Sequence, residues 1–343
     1  MSASTLQGNY AGVTATLSTL GSVDLTGSIP GSLVILDTVI FLVGLVLMGR
    51  GGDLFVDASS QLSRAFRVPR FVVGGTIVSI ATTVPELLTS IQASLVADSG
   101  LALGNAIGSC IANIGLITGV VAIIMPIEFD RPDALKRSAW MVFAAVLLVT
   151  FSWNLKLNFG YAVVLLIFTV VYLAWDIVGV VRRRPEPDND PIGDDSTVLS
   201  ALGWFLLGGV FVGFGSKLLV DSGQNIAVAL GLSTTIIGLS FVAFGTSLPE
   251  LVTGIKAARR GMPDLSLGNI IGANVLNLLL IVGASGVITP LVLEPMSQEY
   301  AFPWLGLFFV VLLGIIVRHG VIRRAAGIGL VLLFGLYSLC LFV

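Results

Sequence analysis

Long apolar runs separated by short polar stretches dominate this chain, and their length decides the reading. A bilayer's hydrocarbon core is about 30 Å thick and takes roughly 20 apolar residues per helix. Against that ruler the runs predict about ten spans, near 33–50, 70–96, 101–125, 138–153, 158–181, 198–228, 234–257, 265–289, 300–318 and 325–343. A membrane β-barrel would instead alternate apolar and polar positions within segments of about ten residues. Runs such as Ala139–Phe151 show no such alternation. The predicted fold class is an all-α polytopic membrane protein.

Charge placement adds orientation. Of 18 Lys and Arg residues, 16 fall on alternate loops: Arg50, Arg64, Arg67 and Arg70; Arg131, Lys136 and Arg137; Arg182, Arg183 and Arg184; Lys256, Arg259 and Arg260; Arg318, Arg323 and Arg324. Only Lys156 and Lys217 fall elsewhere. Positive residues collect on the cytoplasmic side, so both termini are expected outside, in a multi-pass plasma-membrane protein. The layout is then an external tail (1–32), a first five-helix half (33–181), a cytoplasmic linker (182–197) and a second five-helix half (198–343). The linker, RRRPEPDNDPIGDDST, is polar and acidic and reads as a solvated connection.

Composition excludes several classes. With 55% apolar and 11% charged residues in 343, the chain lacks the polar surface of a soluble enzyme, where about a quarter of residues are charged. A net charge of −2 leaves no basic surface for nucleic acid. One histidine, His319, and two distant cysteines, Cys110 and Cys340, argue against haem, copper or zinc centres and a disulfide framework. No cofactor and no obligate protein partner are expected; the partners are ions and the lipid bilayer.

The chain also matches itself. A shift of 164 residues aligns Gly51–Gly119 with Gly215–Gly283 without a gap, with 24 of 69 positions identical. TTVPELLTSIQA (82–93) meets TSLPELVTGIKA (246–257), and LGNAIGSCIANIGLITG (103–119) meets LGNIIGANVLNLLLIVG (267–283). Leu and Val coincide readily in membrane proteins, but Thr-x-x-Pro-Glu and Gly-Asn-x-Ile-Gly-x-x-x-x-Asn do not. Five spans separate the copies, so the second enters the bilayer from the opposite side. Inverted repeats of this kind build secondary transporters, with the site at mid-membrane between the repeats.

The repeated polar residues suggest what is carried. Glu86 and Glu250 lie well inside spans two and seven, where a carboxylate costs at least about 2.5 kcal/mol and is functional by default. Ser79, Thr82, Thr83 and Glu86 share one helical face; Ala243, Thr246, Ser247 and Glu250 share its equivalent. Pro85 and Pro249 cannot donate to the carbonyls of Ala81 and Gly245, which bends each helix and frees backbone oxygens. Asn105, Ser109 and Asn113 line one face of span three; Asn269, Ala273 and Asn277 line that of span eight. Gly104/Gly108 and Gly268/Gly272 would allow close helix approach. The donors are hard oxygens, suited to Ca²⁺ and Na⁺ rather than Zn²⁺ or copper.

These two segments resemble the α-repeats of the sodium/calcium exchanger superfamily of cation antiporters, whose members share ten helices in two inverted sets of five. The resemblance implies Glu86 and Glu250 as central carboxylates. It implies oxygens from Thr82, Thr83, Thr246 and Ser247 and from the carbonyls of Ser79 and Ala243, with Asn113 and Asn277 flanking and Ser109 beside them. It implies exchange of Ca²⁺ for Na⁺ by alternating access. The chain departs from the family pattern at Ala273, where a serine is common, and at Cys110, where Asn is frequent. It also has Asn277 where some relatives carry Asp.

Other readings stay open at this level. Proton coupling is the alternative, since a Glu pair can be protonated. A cation channel would use the same groups. An intramembrane enzyme would need a nucleophile–base pair or a metal-activated water, and matched Glu residues in inverted halves serve symmetrical transport better. Asp57 and Asp221 also match under the shift, as do Gly51 and Gly215, and read as packing or gating positions.

Overall fold

The computed structural model describes residues 31–66, 69–182, 195–229, 243–293, 295 and 297–340. The predicted tail, most of the linker and the first part of span seven lie outside these residues. Eight of the described helical spans are long and apolar enough to cross a membrane, and the described residues are almost entirely helical.

Helix α1 (Gly31–Phe66) is followed by a segmented second span: α2 (Arg70–Val73), a π-helical turn (Gly74–Val78), α3 (Ser79–Thr82) and α4 (Val84–Leu95). The third span joins α5 (Ser99–Ala112), a π turn (Asn113–Thr118) and α6 (Gly119–Ile124). Strand β1 (Ile127–Glu128), α7 (Arg131–Phe151), β2 (Lys156–Leu157) and α8 (Phe159–Arg182) complete the first half. The second half repeats this order: α9 (Asp195–Ala229), α10 (Ala243–Thr246), α11 (Leu248–Arg259), α12 (Pro263–Leu276), a π turn (Asn277–Ile281), α13 (Val282–Ile288) and β3 (Leu291–Val292). A π turn (Ser297–Ala301), α14 (Phe302–Arg318), β4 (Val321–Ile322) and α15 (Arg324–Cys340) follow. The sequence shift of 164 carries α4 onto α11, α5 onto α12 and β1 onto β3.

The inversion is visible in the contact between α1 and α9. A Cβ on Gly44 would fall 2.9 Å from the Gly215 carbonyl, and one on Gly51 would fall 2.9 Å from the Gly208 carbonyl. The reverse contacts, 2.8 Å from Gly215 to Gly44 and 2.9 Å from Gly208 to Gly51, complete the set. The pairs run in opposite directions along the chain, so equivalent helices cross antiparallel, backbone against backbone. Gly51 and Gly215 are therefore packing positions.

The second span and α12 meet as closely. A Cβ on Gly268 would lie 1.9 Å from the Phe71 carbonyl, and one on Gly272 would lie 2.5 Å from that of Gly75. The predicted close approach thus holds for this glycine pair; among the described residues Gly104 and Gly108 have no such neighbour. Short strands tie the halves together: β1 pairs with β4 and β2 with β3, both antiparallel.

Two boundaries differ from the sequence reading. Helix α1 continues well past residue 50, because Phe55, Val56, Ala58 and Leu62 are buried against Ala201, Phe205 and Ala257. Helix α7 begins at Arg131 rather than near 138, which puts Arg137 on a helix instead of in a loop. Its guanidinium is buried, pairs with Asp176 at 2.5 Å and lies over the Phe71 ring at 5.8 Å. A charge that counted toward orientation is also a structural anchor for the second span.

Candidate ion-binding site

The helix breaks before the two glutamates follow from proline. Thr83 closes α3 by donating its amide to the Ser79 carbonyl at 3.0 Å, and α4 restarts with Pro85 in its first turn. Ser247 occupies the same position ahead of α11, with Pro249 in its first turn. Each glutamate therefore sits at the N-terminal end of a half-helix inside the membrane, where free N–H groups favour negative charge. The Gly245 carbonyl, freed by Pro249, accepts the Ser216 hydroxyl at 2.8 Å; repeat one has Gly52 at that place and no hydroxyl to offer.

The two repeats interlock at this level. Thr82 donates its hydroxyl to the Asn269 side-chain oxygen at 3.1 Å, and Thr246 donates to the Asn105 side-chain oxygen at 2.9 Å. These bonds are symmetry mates, each tying a Thr of one repeat to an Asn of the other. Asn105 also donates to the Glu86 backbone carbonyl at 3.1 Å and to the Ser90 hydroxyl at 2.9 Å. Glu86 and Glu250 are 0% and 1% exposed. They stand on the two half-helices that these bonds draw together, each four residues beyond its threonine.

Symmetry fails at two positions within the polar centre, Ser109/Ala273 and Cys110/Asn274, and both failures leave oxygen atoms free. Ser247 donates to the Ser109 hydroxyl at 3.1 Å; the equivalent of Ser109 is Ala273, and the Thr83 hydroxyl has no partner. The Asn113 amide donates to the Asn274 side-chain oxygen at 3.0 Å; the equivalent of Asn274 is Cys110, and neither polar atom of the Asn277 side chain has a partner. Cys110 turns its thiol to the Asn274 carbonyl at 3.7 Å. Both Glu86 oxygens, one Glu250 oxygen and the Asn113 oxygen are likewise buried without a hydrogen-bond partner.

Buried polar atoms in native proteins are nearly always paired, so this concentration of unpaired oxygens marks a place for a cation. The structure brings together Thr82, Thr83, Glu86, Ser109, Asn113, Thr246, Ser247, Glu250 and Asn277 in the two crossing repeats. Ser79 is buried on the same stretch, its hydroxyl turned to the Thr76 carbonyl at 2.9 Å. Ala243 opens α10; its side chain lies outside the described residues. Among the described residues no group of three or more His, Cys, Asp or Glu side chains is poised for a metal ion. The site thus offers two charges and many neutral oxygens, a donor set for hard cations.

Asn105 and Asn269, which the sequence places on the polar faces of spans three and eight, brace the threonines. Ser90 and Ser216 were not singled out, because neither has a hydroxyl counterpart in the other repeat: Gly254 and Gly52 stand there.

Inverted halves, broken helices and a buried oxygen-lined centre define a secondary transporter of cations. The chain matches the family described as sodium/calcium exchanger protein over residues 36–178 and 200–343. It is 34% identical to the sodium/calcium exchanger MaX1 of Methanosarcina acetivorans, across 88% of this chain and 97% of that one. It is 33% identical to the inner membrane protein YrbG of Escherichia coli, across 78% of this chain and 85% of that one. Among solved structures, the sodium-calcium exchanger NCX_Mj soaked with 10 mM Na⁺ and zero Ca²⁺ is similar with a TM-score of 0.77 and 35% identity, over 88% of this chain and 98% of that one. The chain belongs to the sodium/calcium exchanger family.

Proposed function

We propose that this protein is a secondary active antiporter that exchanges Ca²⁺ for Na⁺ by alternating access. The observation that carries the reading is the pair of buried carboxylates, one from each inverted repeat, three of whose four oxygens are buried without a partner in the protein itself. Two such charges in a low-dielectric centre require compensation. One Ca²⁺ supplies it, and so do Na⁺ ions held on the same oxygens, so the two cargoes exclude each other. An uncompensated centre is costly to carry across the membrane, which favours exchange over leak.

Glu86 and Glu250 are the central ligands in this proposal. Thr82, Thr83, Thr246, Ser247, Ser109, Asn113 and Asn277 supply neutral oxygens, as do the carbonyls of Ser79 and Ala243. Sodium is preferred to protons as the coupling ion because hydroxyl and amide oxygens surround both carboxylates, and neutral oxygens serve Na⁺ and not H⁺. The unit is two five-helix halves, 33–181 and 198–343, joined by the linker 182–197, with both termini outside and the linker in the cytoplasm of a plasma-membrane protein. The distribution of Lys and Arg supports that orientation.

Calcium-45 uptake by purified protein in liposomes tests the function. An imposed Na⁺ gradient should drive uptake when pH is equal on both sides. Uptake driven by a pH gradient alone, without Na⁺, would replace the proposal with proton coupling.

A further inference from the structure

The two ends of the molecule are closed unequally. At one end α1 packs along α11, and charges join them. Asp53 pairs with Lys256 at 2.9 Å and with Arg260 at 3.2 Å. Arg260 also donates to the Asp53 carbonyl at 3.1 Å and pairs with Asp57. The repeat supplies the comparison at the other end, where α9 and α4 are the equivalent helices. Lys217 and Asp221 stand at the positions of Asp53 and Asp57, while Gln92 and Val96 stand at those of Lys256 and Arg260.

Among the described residues no ion pair joins these two helices, and Gln92 and Val96 carry no charge to make one. Lys217 pairs instead with Asp221 on its own helix at 2.8 Å, and both are largely exposed, at 69% and 54%. Between α9 and the second span lies a cavity of about 930 Å³, which runs along both, from Leu202 and Ile77 past Thr82 and Thr246 to Lys217 and Asp221. One end is therefore joined by charge across its seam; the other is uncharged across its seam and lined by the cavity.

We infer that Asp53, Asp57, Lys256 and Arg260 form a one-sided latch that holds the exchanger open toward the end bearing Lys217 and Asp221. The inference rests on the antiport reading only in requiring that the two ends open alternately. Opening the latched end breaks three ion pairs, and closing the opposite seam makes none in return. A symmetrical transporter would populate both states alike; this latch biases the empty protein to one.

The test reads access rather than transport. A reporter Thr89→Cys on a Cys340→Ser background is labelled with a membrane-impermeant maleimide in the full-length protein in nanodiscs. Adding Asp53→Asn with Asp57→Asn should slow labelling about fivefold, as three partly exposed pairs are lost. Lys256→Gln should act in the same direction if the double variant folds poorly. Val96→Arg, which gives Asp221 a partner across the open seam, should also slow labelling with the native latch intact. The charge swap Asp53→Lys with Lys256→Asp should restore the rate that Asp53→Lys alone loses. Labelling unchanged by both the latch variants and Val96→Arg would overturn the latch. Because no ion flux is measured, failure of the Ca²⁺/Na⁺ assignment would leave this result standing, and the reverse.

Discussion

Replacing Glu86 by Gln separates the site from the fold. The side chain is 0% exposed, and neither carboxylate oxygen has a hydrogen-bond partner in the protein. Gln keeps the shape and removes the charge. An unsatisfied neutral group costs about 1–3 kcal/mol and a charged one more, so the ion-free variant should be more stable by on the order of 1 kcal/mol. Cation binding should move the other way. Removing one partner of a buried charge interaction costs about 3–5 kcal/mol, which is about a hundredfold or more in Kd. At a Ca²⁺ concentration near 100 times the native Kd, the native protein gains about 2.7 kcal/mol, and a variant weakened a hundredfold gains about 0.4 kcal/mol. Thermal unfolding of purified protein across a Ca²⁺ titration measures both quantities. An Ca²⁺-dependent stabilisation equal to the native one, or a loss of stability without ions, would refute the assignment of Glu86 as a ligand.

Three further outcomes follow from the packing. Arg137→Met should cost about 3–5 kcal/mol by stranding the buried Asp176 carboxylate, while Arg137→Met with Asp176→Leu should recover most of it; denaturation of the two variants decides. Gly268→Ala places a Cβ against the Phe71 carbonyl, so it should destabilise by about 1–3 kcal/mol or more, whereas Gly329→Ala, in open space inside α15, should cost nothing and gain up to about 1 kcal/mol in the same unfolding assay. Ala273→Ser gives the Thr83 hydroxyl the neighbour that Ser247 has in Ser109, and should stabilise the ion-free protein by about 1 kcal/mol; a drop in its unfolding midpoint would show that the cavity around Ala273 has no room for the oxygen.

How much was legible in the sequence depended on whether a feature repeats. The inverted architecture and the two glutamates could be read because TTVPE and TSLPE recur in register and because charge at membrane depth is expensive. Thr82 and Thr246 followed by helical spacing, and the structure adds that each is bonded to an Asn of the other repeat. Features present in one half only gave no such signal. Arg137 looked like one more loop charge, since nothing in sequence tells a basic residue at a helix end from one turned inward to Asp176. Ser216 and Ser90 have glycine counterparts and passed as ordinary small polar residues. The end of α1 was missed because Arg50 interrupts hydropathy while Phe55, Val56 and Leu62 continue the buried face beyond it. Ala273 and Cys110 were noticed as departures, but only coordinates reveal that they leave Thr83 and Asn277 without partners.

The two short ribbons bear on which parts of the molecule can move. β1 and β4 come from different halves of the chain, as do β2 and β3. Each ribbon is thus a stitch across the duplication boundary. Rocking one half as a block against the other would strain both ribbons, each only two residue pairs long. Helices α1 and α9 carry no strand of either ribbon; they pack on each other through glycine contacts and the stacked rings of Phe55 and Phe205. In mechanical terms the protein is a sewn frame with one pair of long bars left unsewn.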